Sequence, residues 1–129
     1  MVFNLMKREN SLKMKRENSL KKITNFLELV KSKNKYYSNN YVIYAEKNRE
    51  NKIKIGISVS KKLFAKAVIR NKIKREVRSF FDDFTDWSKS LNILIKINNV
   101  NYLTNSYYLA KKEEFFDTYK KVVQKFKTI

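Results

Sequence analysis

Apolar and polar residues alternate in the middle of the chain, with the two-residue period of a half-buried strand. Four β-branched residues occupy alternate positions of one segment: Ile53, Ile55, Ile57 and Val59. This pattern predicts a strand over residues 53–62, with Gly56 inside it, where a glycine often marks a close backbone approach. Residues 36–48 are rich in β formers and alternate in part, so they predict a preceding strand that pairs with it. The apolar run of residues 91–97 is typical of an internal strand.

Apolar residues recur every three or four positions in three other segments, which is the period of an amphipathic helix. The first segment, residues 19–34, has its stripe at Ile23, Phe26, Leu27 and Val30. The stripe of the central segment, which starts near residue 66, is Ile69, Ile73, Val77, Phe80 and Phe84. The last helix, from about residue 106 onward, would bury Phe115, Phe116, Tyr119, Val122, Val123 and Phe126. Five lysines are predicted on its outer face: Lys111, Lys112, Lys120, Lys121 and Lys125.

The predicted elements follow one another in the order helix, strand, strand, helix, strand, helix. This order predicts an α+β fold, a two-layer sandwich with a small central sheet and helices packed on it, with room for an extra short strand before the central helix. One domain is expected over residues 20–129. Residues 1–19 are predicted to be a mobile basic extension, because the tandem repeat MKRENSLK at residues 6–13 and 14–21 is too short for a solenoid.

The charge of the chain favours a polyanionic partner. Lys and Arg number 30 against 12 Asp and Glu, a net charge of +18, and such a charge is typical of nucleic-acid binding. The sequence has no Cys and no His, which excludes cysteine nucleophiles, histidine bases and Cys/His zinc sites. It has no signal-peptide core and no apolar run that could span a bilayer, so we expect a cytoplasmic protein.

The segment KAVIRNKIKREVR, residues 66–78, is both apolar and strongly basic, and helical geometry separates the two characters. The apolar stripe would dock on the sheet, while Arg70, Lys74 and Arg78 lie together at four-residue spacing. Arginine binds two phosphate oxygens at once through its planar guanidinium, so we predict that this helix contacts RNA phosphates. The alternative is a solvated lysine-rich face. The candidate RNA-binding residues are Lys66, Arg70, Asn71, Lys72, Lys74, Arg75 and Arg78.

The segments GISVSKK (residues 56–62) and AVIRNKIKREVR (residues 67–78) together resemble the bacterial ribonuclease P protein family. The resemblance implies a left-handed crossover between strands, and catalysis by an RNA subunit that uses magnesium, with no cofactor on the protein. The implied partners are the ribonuclease P RNA, bound by the basic helix, and precursor tRNA; no membrane or protein partner is expected. The single-stranded 5′ leader of the tRNA would lie between the sheet and the first helix. The implied leader-binding residues are Phe26, Val30, Tyr44, Ser58, Lys61 and Lys62.

Three features depart from the family pattern. Lys72 stands where the motif has its second arginine, and Val30 stands where many relatives have phenylalanine. The loop LFAK after Lys62 is one residue longer than in many relatives, so the assignments of Lys61 and Lys62 can shift by one position. Tyr44 would stack on an unpaired base only if its ring faces outward.

Three other functions stay open. The basic and aromatic composition equally suits a general RNA-binding or ribosome-associated protein without a role in tRNA processing. The acids Glu76, Asp82, Asp83 and Asp86 suggest a stand-alone metal nuclease, although a two-metal site needs carboxylates that converge from several elements. The basic, amphipathic last helix could also lie on an anionic membrane surface.

Overall fold

The computed structural model describes residues 19–20, 28–82, 90–104, 107–124 and 126. Residues 28–30 are helical. The strands and helices that follow them are β1 (Lys35–Tyr37), β2 (Tyr41–Lys47), β3 (Lys54–Ser58), α1 (Ala67–Ser79), β4 (Leu91–Ile97) and α2 (Tyr108–Gln124). Within the described ranges the order is therefore α-β-β-β-α-β-α. The predicted α+β class is confirmed, and the extra short strand before the central helix is β1.

The segment predicted as one strand, residues 36–48, is two strands joined by a tight turn. The Ser38 N–H donates to the Tyr41 carbonyl at 2.8 Å. Glu114 of α2 accepts hydrogen bonds from the Ser38 hydroxyl at 2.6 Å, the Asn40 N–H at 2.8 Å and the Asn40 Nδ2 at 2.7 Å. The sequence Ser-Asn-Asn favours a turn, and the Glu114 carboxylate holds that turn against α2.

The four strands form one sheet in the order β1-β2-β4-β3. β2 pairs antiparallel with β1 and β4, and β3 pairs parallel with β4, so β4 is internal, as its apolar run predicts. The predicted pairing of β2 with β3 is wrong, because β4 lies between them. The crossover through α1 returns the chain parallel to β3, which a short hairpin cannot do. The left-handedness of this crossover stays a prediction.

The sheet buries apolar residues on both faces. The first face, which includes Tyr41, Ile43 and Ile95, packs against α1 and α2 in the main core. The second face carries a smaller cluster that consists of Leu20, Leu29, Val42, Tyr44 and Leu94. Successive side chains of a strand point to opposite faces, so β2 contributes to both clusters in alternation. The helical residues 28–30 reach the sheet through Leu29, which is 1% exposed.

Gly56 lies where the N-terminal segment reaches over the edge of the sheet. Ser19 forms a parallel bridge with Ile55, and the Leu20 N–H donates to the Ile55 carbonyl at 2.9 Å. Leu20 belongs to the same cluster as Leu94, which is the register partner of Gly56. The structure gives Gly56 no positive φ, so this glycine provides space for Leu20 rather than conformational freedom.

Several predictions fall on residues outside the described ranges. They include the mobility of residues 1–18 and the packing of Phe84. Three stripe residues of the first helix are also outside: Ile23, Phe26 and Leu27. The domain boundary after residue 19 stays a prediction.

We expect Gly56→Val to lower the free energy of unfolding by about 1–3 kcal/mol, since the new side chain would occupy the space that Leu20 uses. Urea denaturation of the full chain, followed by circular dichroism, measures the change. Ser58→Val is the matched control, because Ser58 lies two positions along the same strand and therefore on the same face. Equal stability of the two variants would contradict the role given to Gly56.

Candidate nucleic-acid interface

The central helix α1 packs its apolar stripe on the first face of the sheet. Ile73 and Val77 are fully buried, and so is Phe80, which directly follows the helix. The opposite side is open to solvent, and we call it the basic face. Its exposed polar residues are Lys66, Asn71, Lys72, Arg75 and Arg78. The first turn of α1 contains no acid, so the positive end of the helix dipole adds to this charge.

One flank of α1 faces the edge strand β3, and its side chains are less exposed than the spacing predicts. Arg70 is half-buried, and its Nη1 donates to the carbonyl oxygens of Phe64 and Ala65 at 2.9 and 2.8 Å. These bonds hold the loop between β3 and α1. Lys74 is also half-buried, so only Arg78 of this predicted row is exposed.

The other flank of α1 faces α2 and carries Glu76, the only acid of this helix. The Glu76 Oε1 lies 2.7 Å from Lys111 Nζ and accepts a hydrogen bond from the Tyr102 hydroxyl at 3.3 Å. Lys111 is 3% exposed, so the prediction that it lies on the outer face of the last helix is wrong. Its ammonium can be buried because the carboxylate compensates its charge and the Tyr102 carbonyl accepts a bond at 3.4 Å.

Two buried phenols extend this ion pair into the main core. The hydroxyls of Tyr41 and Tyr102 lie 3.0 Å apart, and the Tyr41 hydroxyl donates to the Lys111 carbonyl at 3.2 Å. Burial raises the pKa of both phenols well above the usual value, so both stay protonated and neutral. The polar network therefore joins α1, β2 and α2, and it adds fixed geometry to the apolar packing of α1.

The second face of the sheet presents a row of residues that crosses all four strands. In register they are Tyr37, Val42, Lys96 and Ser58. Neighbouring strands lie about 4.8 Å apart, so the row is about 14 Å long. Tyr37 is 64% exposed, whereas Lys96 and Ser58 are half-buried. Lys61 and Lys62 lie in the exposed turn that follows β3, at the Ser58 end of the row.

Lys35 and two tyrosines form a cation–aromatic group on the same face. The Lys35 Nζ lies 5.9 Å from the ring centroid of Tyr37 and 5.8 Å from that of Tyr44. Tyr44 is 6% exposed, and burial raises the pKa of its phenol. The outward-facing ring that base stacking requires is therefore offered by Tyr37, while the Tyr44 ring is covered.

The charges on the second face are not uniform. Glu46 lies two positions beyond Tyr44 on β2 and is half-buried. Burial raises the pKa of Glu46, and the nearby negative charge of Glu28 raises it further. Lys96 lies in the row at the other end of the face. Glu28 and Glu46 therefore place negative charge at one end of the face, where Lys54 lies in register with Glu46 but is paired with Glu50, and Lys96 places positive charge in the row.

The acids considered for a metal nuclease do not form a cluster among the residues that the structure describes. Glu76 pairs with Lys111, Asp82 is half-buried after α1, and Asp83 and Asp86 lie outside the described residues. In the part of the chain that the structure describes, no cluster of three or more acids could hold a metal ion. The same part contains no helix with the length and apolarity needed to cross a membrane.

Comparison with known proteins assigns the chain to a family. The family model for Ribonuclease P matches residues 14–127. The chain belongs to the ribonuclease P protein family. The ribonuclease P protein component of Mycoplasma capricolum is 36% identical over 97 residues, which cover 70% of this chain and 88% of that protein. That of Mycoplasma mobile is 33% identical over 105 residues, with coverage of 81% and 86%. The solved RNase P protein of Staphylococcus aureus matches with a TM-score of 0.68 at 27% identity, with coverage of 80% and 93%.

The residues predicted for a ribonuclease P protein lie on two separate surfaces. The basic face of α1 carries most of the candidate RNA-binding residues, with Arg70 and Lys74 on its flank. The second face of the sheet brings Ser58 close to the lysines of the following turn. Val30 is 39% exposed beside the buried Leu29, and Phe26 lies outside the described residues. Roles in RNA binding stay predictions for all of them.

Three residues of the second face were missed by the sequence analysis: Lys35, Tyr37 and Lys96. Lys96 had a usable signal, because it is a charged residue inside the apolar strand LNILIKI. A charged residue at an alternate position of an internal strand indicates that one face of that strand is not fully covered. Lys35 and Tyr37 had no such signal, since their place depends on the pairing of β1 with β2.

Lys111→Met should destabilise this ribonuclease P protein by about 3 kcal/mol, because it leaves the Glu76 carboxylate in a largely buried place without its partner. Urea denaturation measures the loss. The double variant Glu76→Gln/Lys111→Met should recover part of it, because no unpaired charge then stays inside.

Lys121→Met is the matched control, since Lys121 is exposed on the same helix and surface substitutions cost about 0.5 kcal/mol or less. Losses that simply add in the double variant would contradict the coupling between Glu76 and Lys111.

Proposed function

We propose that this ribonuclease P protein component binds the ribonuclease P RNA through the basic face of α1, and the 5′ leader of precursor tRNA on the second face of the sheet. The RNA subunit, with magnesium ions, performs the endonucleolytic cleavage, and the protein assists by holding both RNAs. The observation that carries this proposal is the placement of two cationic surfaces on opposite sides of one small sheet. A single chain can then contact two RNAs at the same time.

The fixed position of α1 supports phosphate binding by the basic face. The helix is held by its buried stripe and by the pair of Glu76 with Lys111. Its backbone is therefore ordered before RNA arrives, which lowers the entropic cost of binding. Arg75 and Arg78 can each contact two phosphate oxygens, while Lys72 acts as a point charge. Contacts of this kind position an RNA and read little of its sequence.

The row on the second face suits an extended single strand. The exposed ring of Tyr37 can stack on an unpaired base, and such stacking accepts any base. Lys96 and Lys62 place positive charge near the path of the phosphates. Glu28 and Glu46 would repel phosphates, so the strand is directed along the row rather than along β2. A leader of any sequence could therefore be held, as a protein that serves many precursor tRNAs requires.

A general RNA-binding role is the second candidate, and the exposed basic face favours it by itself. The two candidates differ in the leader, because a general binder has no reason to prefer precursor tRNA over mature tRNA. We place the protein in the cytoplasm, where it would meet newly made precursor tRNA.

Arg75→Gln should weaken binding to the ribonuclease P RNA and make the slope of log K against log salt less negative by about 1, because one phosphate contact is lost. Filter binding over a salt series measures the slope. With a matching RNA subunit at low magnesium, the unchanged protein should stimulate precursor-tRNA cleavage, and Arg75→Gln should stimulate it less.

Lys120→Gln is the control, since it removes an exposed charge from α2 and leaves the basic face intact. If the unchanged protein gave no stimulation, the proposed function would be rejected. If Arg75→Gln and Lys120→Gln gave the same slope, only the role of the basic face would be rejected.

Tyr37→Ala should reduce the affinity of the holoenzyme for precursor tRNA about tenfold and leave the affinity for mature tRNA unchanged, because only the precursor has a leader base to stack. Competition binding with the two tRNAs measures both affinities. Tyr37→Phe should keep the preference, and Tyr107→Ala is the control, because Tyr107 directly precedes α2, is 86% exposed and lies outside the row. A loss that is equal for both tRNAs would contradict leader binding at this position.

A further inference from the structure

The turn between β1 and β2 joins the two sides of the sheet. Tyr37, the last residue of β1, lies on the second face, whereas Glu114 holds the turn from α2, which packs on the first face. We propose that Glu114 is a positioning residue, which sets the preference for precursor tRNA by fixing the turn that carries Tyr37. This inference rests on the proposed function and extends it to a residue outside both proposed RNA surfaces.

The strand that carries Tyr37 is short and depends on its two ends. β1 has three residues and lies at the edge of the sheet, next to β2, and a two-stranded ribbon is only marginally stable by itself. At its start, the Asn34 carbonyl accepts the Ala45 N–H at 3.0 Å. At its end, the turn begins at once with Ser38. The Tyr37 ring is 64% exposed, so its place is set mainly by the backbone on which it stands.

Glu114 supplies the contacts that hold the second end of β1. Its Oε2 accepts hydrogen bonds from the Ser38 hydroxyl at 2.6 Å and from the Asn40 N–H at 2.8 Å, and its Oε1 accepts one from Asn40 Nδ2 at 2.7 Å. Bonds to a carboxylate are about twice as strong as bonds between neutral groups. The Ser38 hydroxyl oxygen accepts the Tyr41 N–H at 3.2 Å in turn. One carboxylate therefore fixes the conformation of the whole turn.

Other contacts hold the β2 side of the turn, so the loss of Glu114 should affect Tyr37 more than the rest of the sheet. The Asn40 carbonyl accepts the Asn98 N–H at 3.0 Å, just after β4, and β2 pairs with β4 along all seven of its residues. Without Glu114 the β2 side stays anchored, while the Ser38 side loses its contact with α2. The Tyr37 ring would then occupy more positions, and ordering it on a leader base would cost affinity.

Hydrogen exchange tests the turn on the full-length protein without RNA. Glu114→Ala should speed the exchange of the Ser38 and Tyr41 amides by at least about threefold, because local opening of the turn becomes easier. Amides of β4 should keep their rates. Glu113→Ala is the matched control, since it removes the same charge from the neighbouring, exposed position of α2. Unchanged exchange of the turn amides in Glu114→Ala would overturn the proposal.

A double-variant cycle connects the turn with leader binding. Competition binding to the holoenzyme measures the affinities for precursor and mature tRNA. Glu114→Ala should lower the affinity for precursor tRNA about threefold relative to that for mature tRNA, whereas Glu113→Ala should keep the ratio of the two. In the Tyr37→Ala background, Glu114→Ala should cause no further change of the ratio, because the ring that it positions is absent.

The cycle separates positioning from a general structural role. An equal loss for both tRNAs would overturn the proposal, and so would the same loss with and without Tyr37, because Glu114 would then act on folding or on another contact. Ser38→Ala keeps the test decisive where Glu114→Ala does not fold, since it removes only one of the three bonds to the carboxylate. It should lower the ratio when Tyr37 is present and leave it unchanged when Tyr37 is absent; any other result counts against the proposal.

Failure of this inference differs from failure of the proposed function. If Tyr37→Ala weakened precursor binding and Glu114→Ala did not, only the role of Glu114 would be rejected. If Tyr37→Ala itself cost no affinity, leader binding at Tyr37 would be rejected and the role of Glu114 with it. Absence of any stimulation of cleavage by the unchanged protein would reject the proposed function as a whole, while the exchange experiment would still report whether Glu114 holds the turn.

Discussion

An ion pair inside the protein joins the basic helix to the last helix. The Glu76 Oε1 of α1 lies 2.7 Å from the Lys111 Nζ of α2. Apolar packing holds α1 on the sheet, but such packing is non-directional. The ion pair is directional, because rotation of α1 about its axis would separate the charges and leave each without a partner in a poorly solvated place. The outward directions of Arg75 and Arg78 are therefore determined by a contact on the other side of the helix.

The elements of this fold could largely be predicted from their sequence patterns, because each helix buries one stripe and the continuous apolar run of β4 indicates burial on both faces. Ile73 and Val77 recur at helical spacing and are fully buried, and the run Leu91–Ile97 is the internal strand that its composition indicated. The resemblance of residues 56–78 to ribonuclease P proteins added the family, which periodicity cannot supply. Both kinds of inference use only neighbours in the sequence, and they succeeded for most of the local structure. The exception is the turn between Ser38 and Tyr41, which divides the segment predicted as one strand.

The larger errors concern contacts between residues far apart in the chain. Lys111 is buried because it pairs with Glu76, which lies 35 positions earlier. No local pattern distinguishes Lys111 from the solvated lysines of α2. The pairing of β3 with β4 instead of β2 depends on the path of α1. The row on the second face depends on three strand registers, so no local pattern marked Tyr37 as a candidate. The burial of the Tyr44 ring could not be inferred from its neighbours in the sequence either.

Both edges of the sheet are short or occupied. β1 has only three residues, and Ser19 and Leu20 lie along β3 through a bridge and a hydrogen bond. Open strand edges are templates on which other chains add, and blocking them is a common way for proteins to avoid aggregation. The chain, when free of any partner, is thus protected from self-association by its edges as well as by the mutual repulsion of its +18 charge.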